Sequence, residues 1–219
     1  MIKRFFSRFR TNKRGQSFVE LMLVTLILAL MLAGVVEFGY LLNSYLKVLD
    51  GTREGARFSN SSVAFDNTTG VSYQTFYINT AIEAMRVMYP IALNGNRGDD
   101  IVISVFSVAG SSIRRWPDGY VNGWSLCSNY SDAALQGDLN PTDWSSCAPR
   151  SSHFTTGQIL ALMDASAPAS GVLLVEVYYN YPQILKLPVF AQVIPDPIPV
   201  YTYSVMPLSS AEPTPTPRP

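Results

Sequence analysis

Residues 21–36 read LMLVTLILALMLAGVV, a run in which all but two of the sixteen residues are Ala, Val, Ile, Leu or Met. The flanking residues extend it to a segment, 18–42, that only two charged side chains interrupt, Glu20 and Glu37. As a helix this segment spans about 37 Å, which exceeds the ~30 Å hydrocarbon core of a bilayer. The sequence therefore predicts a membrane-spanning helix, and the alternative is a buried helix of a soluble protein.

The residues before the run are basic. Residues 1–15 form a leader without acidic residues, and its bases are Lys3, Arg4, Arg8, Arg10, Lys13 and Arg14. The positive-inside rule keeps such a leader in the cytoplasm and places the rest of the chain outside it. A removed secretory signal is disfavoured, because the apolar run is longer than a usual signal and no A-x-A site follows it. Residues 16–219 carry ten Lys and Arg against sixteen Asp and Glu, a balance that argues against a nucleic-acid partner.

The helix is predicted to continue beyond the membrane. Residues 40–58, YLLNSYLKVLDGTREGARF, mix polar and apolar side chains, and a helix over 18–58 would be about 60 Å long. Gly51 and Gly55 weaken its second half, because glycine is a poor helix former. The predicted organisation is a basic leader at 1–15, the helix at 16–58, an extracytoplasmic domain at 59–210 and a tail at 211–219.

The extracytoplasmic residues predict an α+β domain, a small antiparallel sheet with one or two packed helices. A turn-rich linker is expected at 60–70, helices at 75–89 and 158–165, and strands at 101–108, 172–181 and 198–206. Apolar and polar side chains alternate along the strand 172–181, with Glu176 and Asn180 on its polar face. We therefore expect the strand to be half-buried. Residues 183–193 are compatible with a strand, a helical turn or a patch resting on the membrane.

Proline is concentrated near the C-terminus. Ten of the fifteen prolines lie between Pro182 and Pro219. Because proline cannot donate to a sheet ladder, the last strands should be edge strands or interrupted ones. The Pro/Thr-rich residues 211–219 predict an extended, disordered tail.

An insertion at 110–154 holds every tryptophan and cysteine of the chain. In an exported protein Cys127 and Cys147 predict a disulfide, worth about 3 kcal/mol of loop-closure entropy. Trp116, Trp124 and Trp144 have two interpretations. They form either an exposed aromatic face that contacts a surface or a sugar, or a group that packs together under the disulfide, which is the commoner arrangement.

No metal or cofactor site is predicted. His153 is the only histidine, so a zinc site lacks ligands. Asp138, Asn140 and Asp143 lack both the closing Glu and the glycine of a calcium loop. The sequence contains no P-loop, G-x-S-x-G, H-E-x-x-H or Rossmann glycine pattern, and we expect a protein that is not an enzyme.

The junction between leader and apolar run carries the most specific pattern. Residues 14–20 read RGQSFVE, so that a glycine ends the leader and Glu20 is the fifth residue after it. This arrangement resembles the processing site of prepilins. Together with VEFGY at 36–40 and REGAR at 53–57, it resembles the TadE-like family of minor pilins and pseudopilins, which are associated with the tight-adherence (Flp) pilus machinery.

The resemblance implies a pilin-like fold and a cut between Gly15 and Gln16 by a membrane aspartyl prepilin peptidase. Many type IV pilins have Phe where this chain has Gln16. The implied partners are membrane lipid, other pilin subunits and the pilus-assembly platform, and the implied location is the bacterial inner membrane or its pilus. Two alternatives are an anchored extracytoplasmic binding protein that does not assemble and a pseudopilin of a secretion system.

The carboxylates of the apolar segment are candidates for assembly and register. An ionised carboxylate in a membrane costs about 3 kcal/mol or more unless it is paired, and the new amine of Gln16 would supply a partner for Glu20 in the same chain or a neighbour. Alternatively Glu20 is solvated at the headgroup level, and this alternative applies more strongly to Glu37. The two carboxylates are about 25 Å apart along a helix, too far to act as a catalytic acid/base pair.

Overall fold

The computed structural model describes residues 13–66, 69, 71–117, 122–163, 169–186 and 194–213. Its helices are α1 (Lys13–Ser59), α2 (Gln74–Met88), α3 (Leu126–Asn129) and α4 (Thr156–Leu162). Its strands are β1 (Asp100–Ala109), β2 (Ser112–Trp116), β3 (Trp124–Ser125), β4 (Ala169–Tyr181) and β5 (Ile198–Pro207). The predicted α+β class is confirmed.

Helix α1 runs without interruption from the leader through the apolar segment into the domain. Its two late glycines lie where α2 crosses it. A Cβ on Gly51 would meet the Met88 side chain and lie 2.7 Å from the Ala84 carbonyl oxygen, and one on Gly55 would lie 3.0 Å from the Ala84 Cβ. The intrinsic cost of glycine in a helix is therefore offset by close packing of two helices, which larger side chains would prevent.

The sheet is antiparallel and has the order β2-β1-β4-β5, with β3 also paired to β1. One sheet face packs on α1 and α2, and the main core joins Val48 and Ala81 of these helices to Ile103 and Val175 of the central strands. Among the described residues β5 lies at the sheet edge, as its proline content predicts, whereas β4 is central.

The expectation that β4 is half-buried is wrong. Both Leu174 and Glu176, on the face opposite the main core, are completely buried. A second apolar cluster covers that face, in which Ile159 of α4 packs with Phe106, Val172 and Leu174. The helix α4 begins with a capping box, because the Thr155 side chain accepts from the Gln158 amide while Gln158 reaches back to the Thr155 amide.

The region treated as an insertion in the sequence contributes strands to the sheet. Strand β2 pairs with β1 through Phe106 and Arg115, and β3 pairs with it through Ile103 and Trp124. The predicted disulfide is confirmed, since Cys127 and Cys147 are bonded with their Cα atoms 5.9 Å apart.

The three tryptophans are buried, so the interpretation of an exposed aromatic face is wrong. Trp116 stacks on Phe65, and Trp124 stacks on Tyr77. Trp144 is also completely buried in the main core. These side chains anchor the described part of residues 110–154 to the core of the domain instead of facing a ligand.

Residues expected in the linker and in the tail contribute to the core. Ala64 and Phe65 of the predicted linker are buried in the core, and Phe65 bridges to Ser72. Ala211, placed in the tail by its sequence, is buried, and a Cβ on Gly171 would lie 2.8 Å from the Ala211 Cβ. The tail residues 214–219 lie outside the described residues.

Candidate functional site

The two halves of α1 have opposite surroundings. In the apolar half the side chains are exposed on all sides, for example Leu28 at 66% and Val35 at 69%, whereas Val48, Thr52 and Ala56 in the second half are completely buried. Among the described residues one helix is long and apolar enough to cross a membrane, and it lies at the N-terminus. An apolar window of this length, none of which is buried by the described part of the chain, suggests single-pass membrane anchoring.

Glu37 lies where these two halves meet and binds the end of the sheet. Its Oε1 accepts hydrogen bonds of 2.9 Å from the Tyr181 hydroxyl and from the Ile184 amide. Its Oε2 accepts a hydrogen bond of 2.8 Å from the Leu185 amide. Three donors, one from the last residue of β4 and two from the loop after it, therefore converge on one carboxylate of the helix.

The local sequence explains why these donors are available. Strand β4 ends at Tyr181, and Pro182 cannot extend the ladder because it has no amide hydrogen. The amides of Ile184 and Leu185 thus have no strand partner and need another acceptor. Glu37 supplies that acceptor. The sequence suggested that its carboxylate is solvated, whereas the structure shows it bound within the chain.

Gln183 closes the same loop from the other side. Its backbone amide donates to the Asp196 carboxylate at 3.1 Å, and its side-chain amide nitrogen donates to the Pro195 carbonyl at 3.1 Å. The two ends of the loop are therefore tied together against α1. Residues 187–193, which contain most of the stretch left open by the sequence, lie outside the described residues.

A small apolar pocket adjoins the Glu37 carboxylate. It has a volume of about 290 Å³ and is lined on the helix side by Gly34, Phe38 and Leu41. On the loop and sheet side it is lined by Leu185, Ile194 and Ile198, with Gln183 at its edge. The junction between helix and domain therefore combines a hydrogen-bonded carboxylate with an apolar recess.

The electrostatics favour a stable junction. Burial, together with the bound Glu37 carboxylate, raises the pKa of the Tyr181 hydroxyl, so that Tyr181 remains a donor at physiological pH. Hydrogen bonds that a carboxylate accepts are stronger than bonds between neutral groups. The junction thus holds the domain in one orientation on the helix.

Two further carboxylates at the start of β1 hold the disulfide-bonded region and the end of β4. Asp100 accepts from the Ser125 hydroxyl at 2.7 Å, the Cys127 amide at 3.0 Å and the Arg150 amide at 2.8 Å. Burial raises the pKa of the Asp100 carboxyl to about 6. Asp99 accepts from the Asn180 amide at 2.7 Å and from the Arg97 guanidinium at 2.6 Å. These acids hold loops, and we assign them a structural role.

The remaining candidate residues lie apart from the junction. Gly15 and Gln16 lie in the first turn of α1, and Glu20 follows one turn later on the exposed apolar half. Because Glu20 and Glu37 lie on one continuous helix, the structure does not bring them together. Within the described ranges no three His, Cys, Asp or Glu side chains are placed to hold a metal ion.

Sequence reasoning singled out Glu37 but missed Tyr181, Ile184 and Leu185 as its partners. One signal was present, because Pro182 ends a strand and is followed by amides that no ladder can satisfy. Which acceptor they reach depends on where β4 ends relative to α1, and no local pattern encodes that distance.

Comparison with known proteins finds a match for the part of the chain that contains α1. Residues 15–57 match the family model for TadE-like protein. No curated protein matches the chain, and no solved structure matches it. The matched residues coincide with the apolar helix and its buried continuation, so the similarity of this chain to TadE-like proteins covers residues 15–57, which include an N-terminal apolar helix of membrane-spanning length.

Proposed function

We propose that this chain is a TadE-like minor pilin or pseudopilin that contributes to the assembly of a tight-adherence type pilus. It is a single-pass protein of the bacterial inner membrane, with its basic leader in the cytoplasm and its sheet domain outside. The observation that carries this proposal is the coincidence of the TadE-like match at 15–57 with a helix half whose apolar side chains face outward.

A pilin function requires a helix that exchanges lipid for other subunits. In this proposal the apolar half of α1 lies in lipid before assembly and packs beside the helices of neighbouring subunits afterwards. The buried second half and the Glu37 junction keep the sheet domain rigidly oriented on that helix. A pull on the helix would therefore move the domain with it.

The proposal also includes processing of the leader and a register role for Glu20. A prepilin peptidase cuts between Gly15 and Gln16, and the new amine pairs with Glu20 of the same chain or of a neighbour. The partners are membrane lipid, other pilin subunits and the assembly platform. The role is one of assembly rather than catalysis.

The structure bears differently on the two alternative functions, an anchored binding protein and a pseudopilin of a secretion system. An anchored binding protein was suggested by exposed tryptophans, and this support is lost because all three are buried. A pseudopilin of a secretion system shares the same helix, and neighbouring genes distinguish it. A pilus ATPase and platform proteins of the tight-adherence type beside this gene favour the pilus.

Mass spectrometry of the N-terminus tests the proposal. The full chain is co-expressed with a prepilin peptidase of a tight-adherence system or with a catalytically inactive form of that peptidase. The expected product begins at Gln16 with the active peptidase and at Met1 with the inactive one. Gly15→Val should retain the leader in both. An intact leader with the active peptidase, combined with absence of the chain from sheared filaments, would contradict the pilin function.

A further inference from the structure

The loop that Glu37 holds exposes apolar side chains. Ile184 is 54% exposed, Leu185 is 38% exposed and Ile194 is 39% exposed. Phe38, one residue from Glu37 on α1, is 63% exposed. We call these four side chains the junction patch. Exposed apolar groups that cluster on a domain surface mark a contact with a partner or a membrane.

The height of the patch along α1 follows from the helix geometry. Glu37 lies 19 positions after Phe18 in the chain, a rise of about 29 Å that matches the ~30 Å hydrocarbon core. Glu37 therefore lies at the outer boundary of the apolar span. Its hydrogen bonds to the amides of Ile184 and Leu185 hold the loop at the same height.

The polar groups at this height are suited to a membrane surface. The Glu37 carboxylate is bonded to three donors of its own chain, which lowers the cost of holding it close to lipid. Tyr40 on α1 is 49% exposed, and tyrosine is typical of the headgroup level. Lys186, exposed beside Leu185, can extend its ammonium group to lipid phosphates.

We infer that the junction patch is a second membrane contact, in which Ile184, Leu185 and Ile194 insert into the outer interface of the bilayer beside α1. The inference rests on the proposed membrane anchoring and adds that the domain lies directly on the lipid. Lipid is favoured over a second protein chain because the patch is continuous with the apolar surface of α1. Gly34 and Phe38 of the helix line the same recess as Leu185 and Ile194.

Fluorescence quenching by brominated lipid tests the inference on the full chain. Leu185→Trp and Ile184→Trp are reconstituted separately into phosphatidylcholine vesicles with and without lipids brominated near the headgroup end of their acyl chains. The native tryptophans are buried, so the wild-type chain provides their background. Ile27→Trp lies near the middle of the apolar half of α1 and reports the anchor itself, so this variant is reconstituted with lipids brominated near the methyl end of their acyl chains. Leu162→Trp is the matched control, because Leu162 is apolar and 68% exposed but lies on α4, near the far end of β4.

The expected result is loss of the added fluorescence for Leu185→Trp, Ile184→Trp and Ile27→Trp, with none for Leu162→Trp. Quenching at Ile27 without quenching at 184 and 185 overturns the loop contact and leaves the anchor intact. Absence of quenching at Ile27 overturns the anchor and, with it, this inference. A blue-shifted but unquenched Trp at 184 and 185 shows that a second chain covers the patch, which overturns the lipid contact.

Discussion

The Tyr181 hydroxyl donates a hydrogen bond of 2.9 Å to the Glu37 carboxylate, although the two residues are 144 positions apart in the chain. The bond joins the last residue of β4 to α1 at the end of its exposed apolar half. Because the same carboxylate also accepts from two loop amides, the sheet cannot turn on the helix without breaking three bonds at once.

Removing the Glu37 carboxylate should loosen the loop. We expect Glu37→Ala to lower the free energy of unfolding by about 1–3 kcal/mol, because donors lose a charged acceptor. Trypsin should cleave after Lys186 faster in Glu37→Ala than in the wild type, in detergent solution. Tyr181→Phe is the matched control, since it removes one donor and leaves both amide bonds to Glu37 in place. Equal cleavage rates in Glu37→Ala and the wild type would show that the carboxylate does not restrain the loop.

Gly51 and Gly55 of α1 should not tolerate alanine, although alanine is the better helix former. In Gly51→Ala the new Cβ lies 2.7 Å from the Ala84 carbonyl oxygen, so we expect a loss of about 1–3 kcal/mol from overpacking. This exceeds the gain of ~1 kcal/mol in helix propensity. Gly39→Ala is the control, because apart from the adjacent backbone of α1 no described atom lies within 4 Å of its added Cβ. Thermal unfolding in detergent measures both, and a stabilised Gly51→Ala would refute the close helix contact.

The disulfide should stabilise the region that carries Trp144 into the core. The double change Cys127→Ser and Cys147→Ser opens a loop with a sequence separation of 20, for which loop-closure entropy predicts a loss of about 3 kcal/mol. Reduction of the wild-type chain should lower its unfolding temperature to about the same value as that of the double variant. If the reduced and oxidised proteins unfold together, the loop is held by its tryptophan packing alone.

Asp100 should make stability depend on pH in an unusual direction. Its folded pKa, about 6, lies above the ordinary 3.8, so the folded protein binds a proton more readily than the unfolded one between these values. The contribution of Asp100 to the free energy of unfolding is therefore largest below pH 4 and falls as pH rises to 6, by up to about 3 kcal/mol. Denaturant unfolding of the wild type and Asp100→Asn across this range checks it. The difference between the two proteins should change with pH, and a constant difference would contradict the assignment.

Glu20 should affect assembly rather than insertion. We expect Glu20→Ala to enter the membrane as well as the wild type but to reach sheared filaments in smaller amounts, because in the proposed function Glu20 is the partner of the amine that cleavage creates on Gln16. Thr25→Ala is the matched control, since the Thr25 hydroxyl bonds within the helix to the Leu21 carbonyl at 2.8 Å. Unchanged recovery of Glu20→Ala in filaments would refute a register role.

The elements of this fold were predictable because each depends on a local repeat. Helix α2 was expected at 75–89 and occupies Gln74–Met88, because its apolar residues recur at helical spacing. Strands β1 and β5 were likewise placed within two residues. The strands β2 and β3 were missed, since both are short and lie in a stretch rich in turn residues.

The sequence by itself determined which residues form the apolar helix and where the main helices and long strands lie. These features follow from the charge and periodicity of neighbouring residues. Only the tertiary structure decided that β4 is covered on both faces, that the tryptophans are buried and that Glu37 meets Tyr181, Ile184 and Leu185. Such contacts join residues far apart in the chain. They depend on the lengths of α1 and β4 and on the angle at which the two pack, and these are properties of the whole domain.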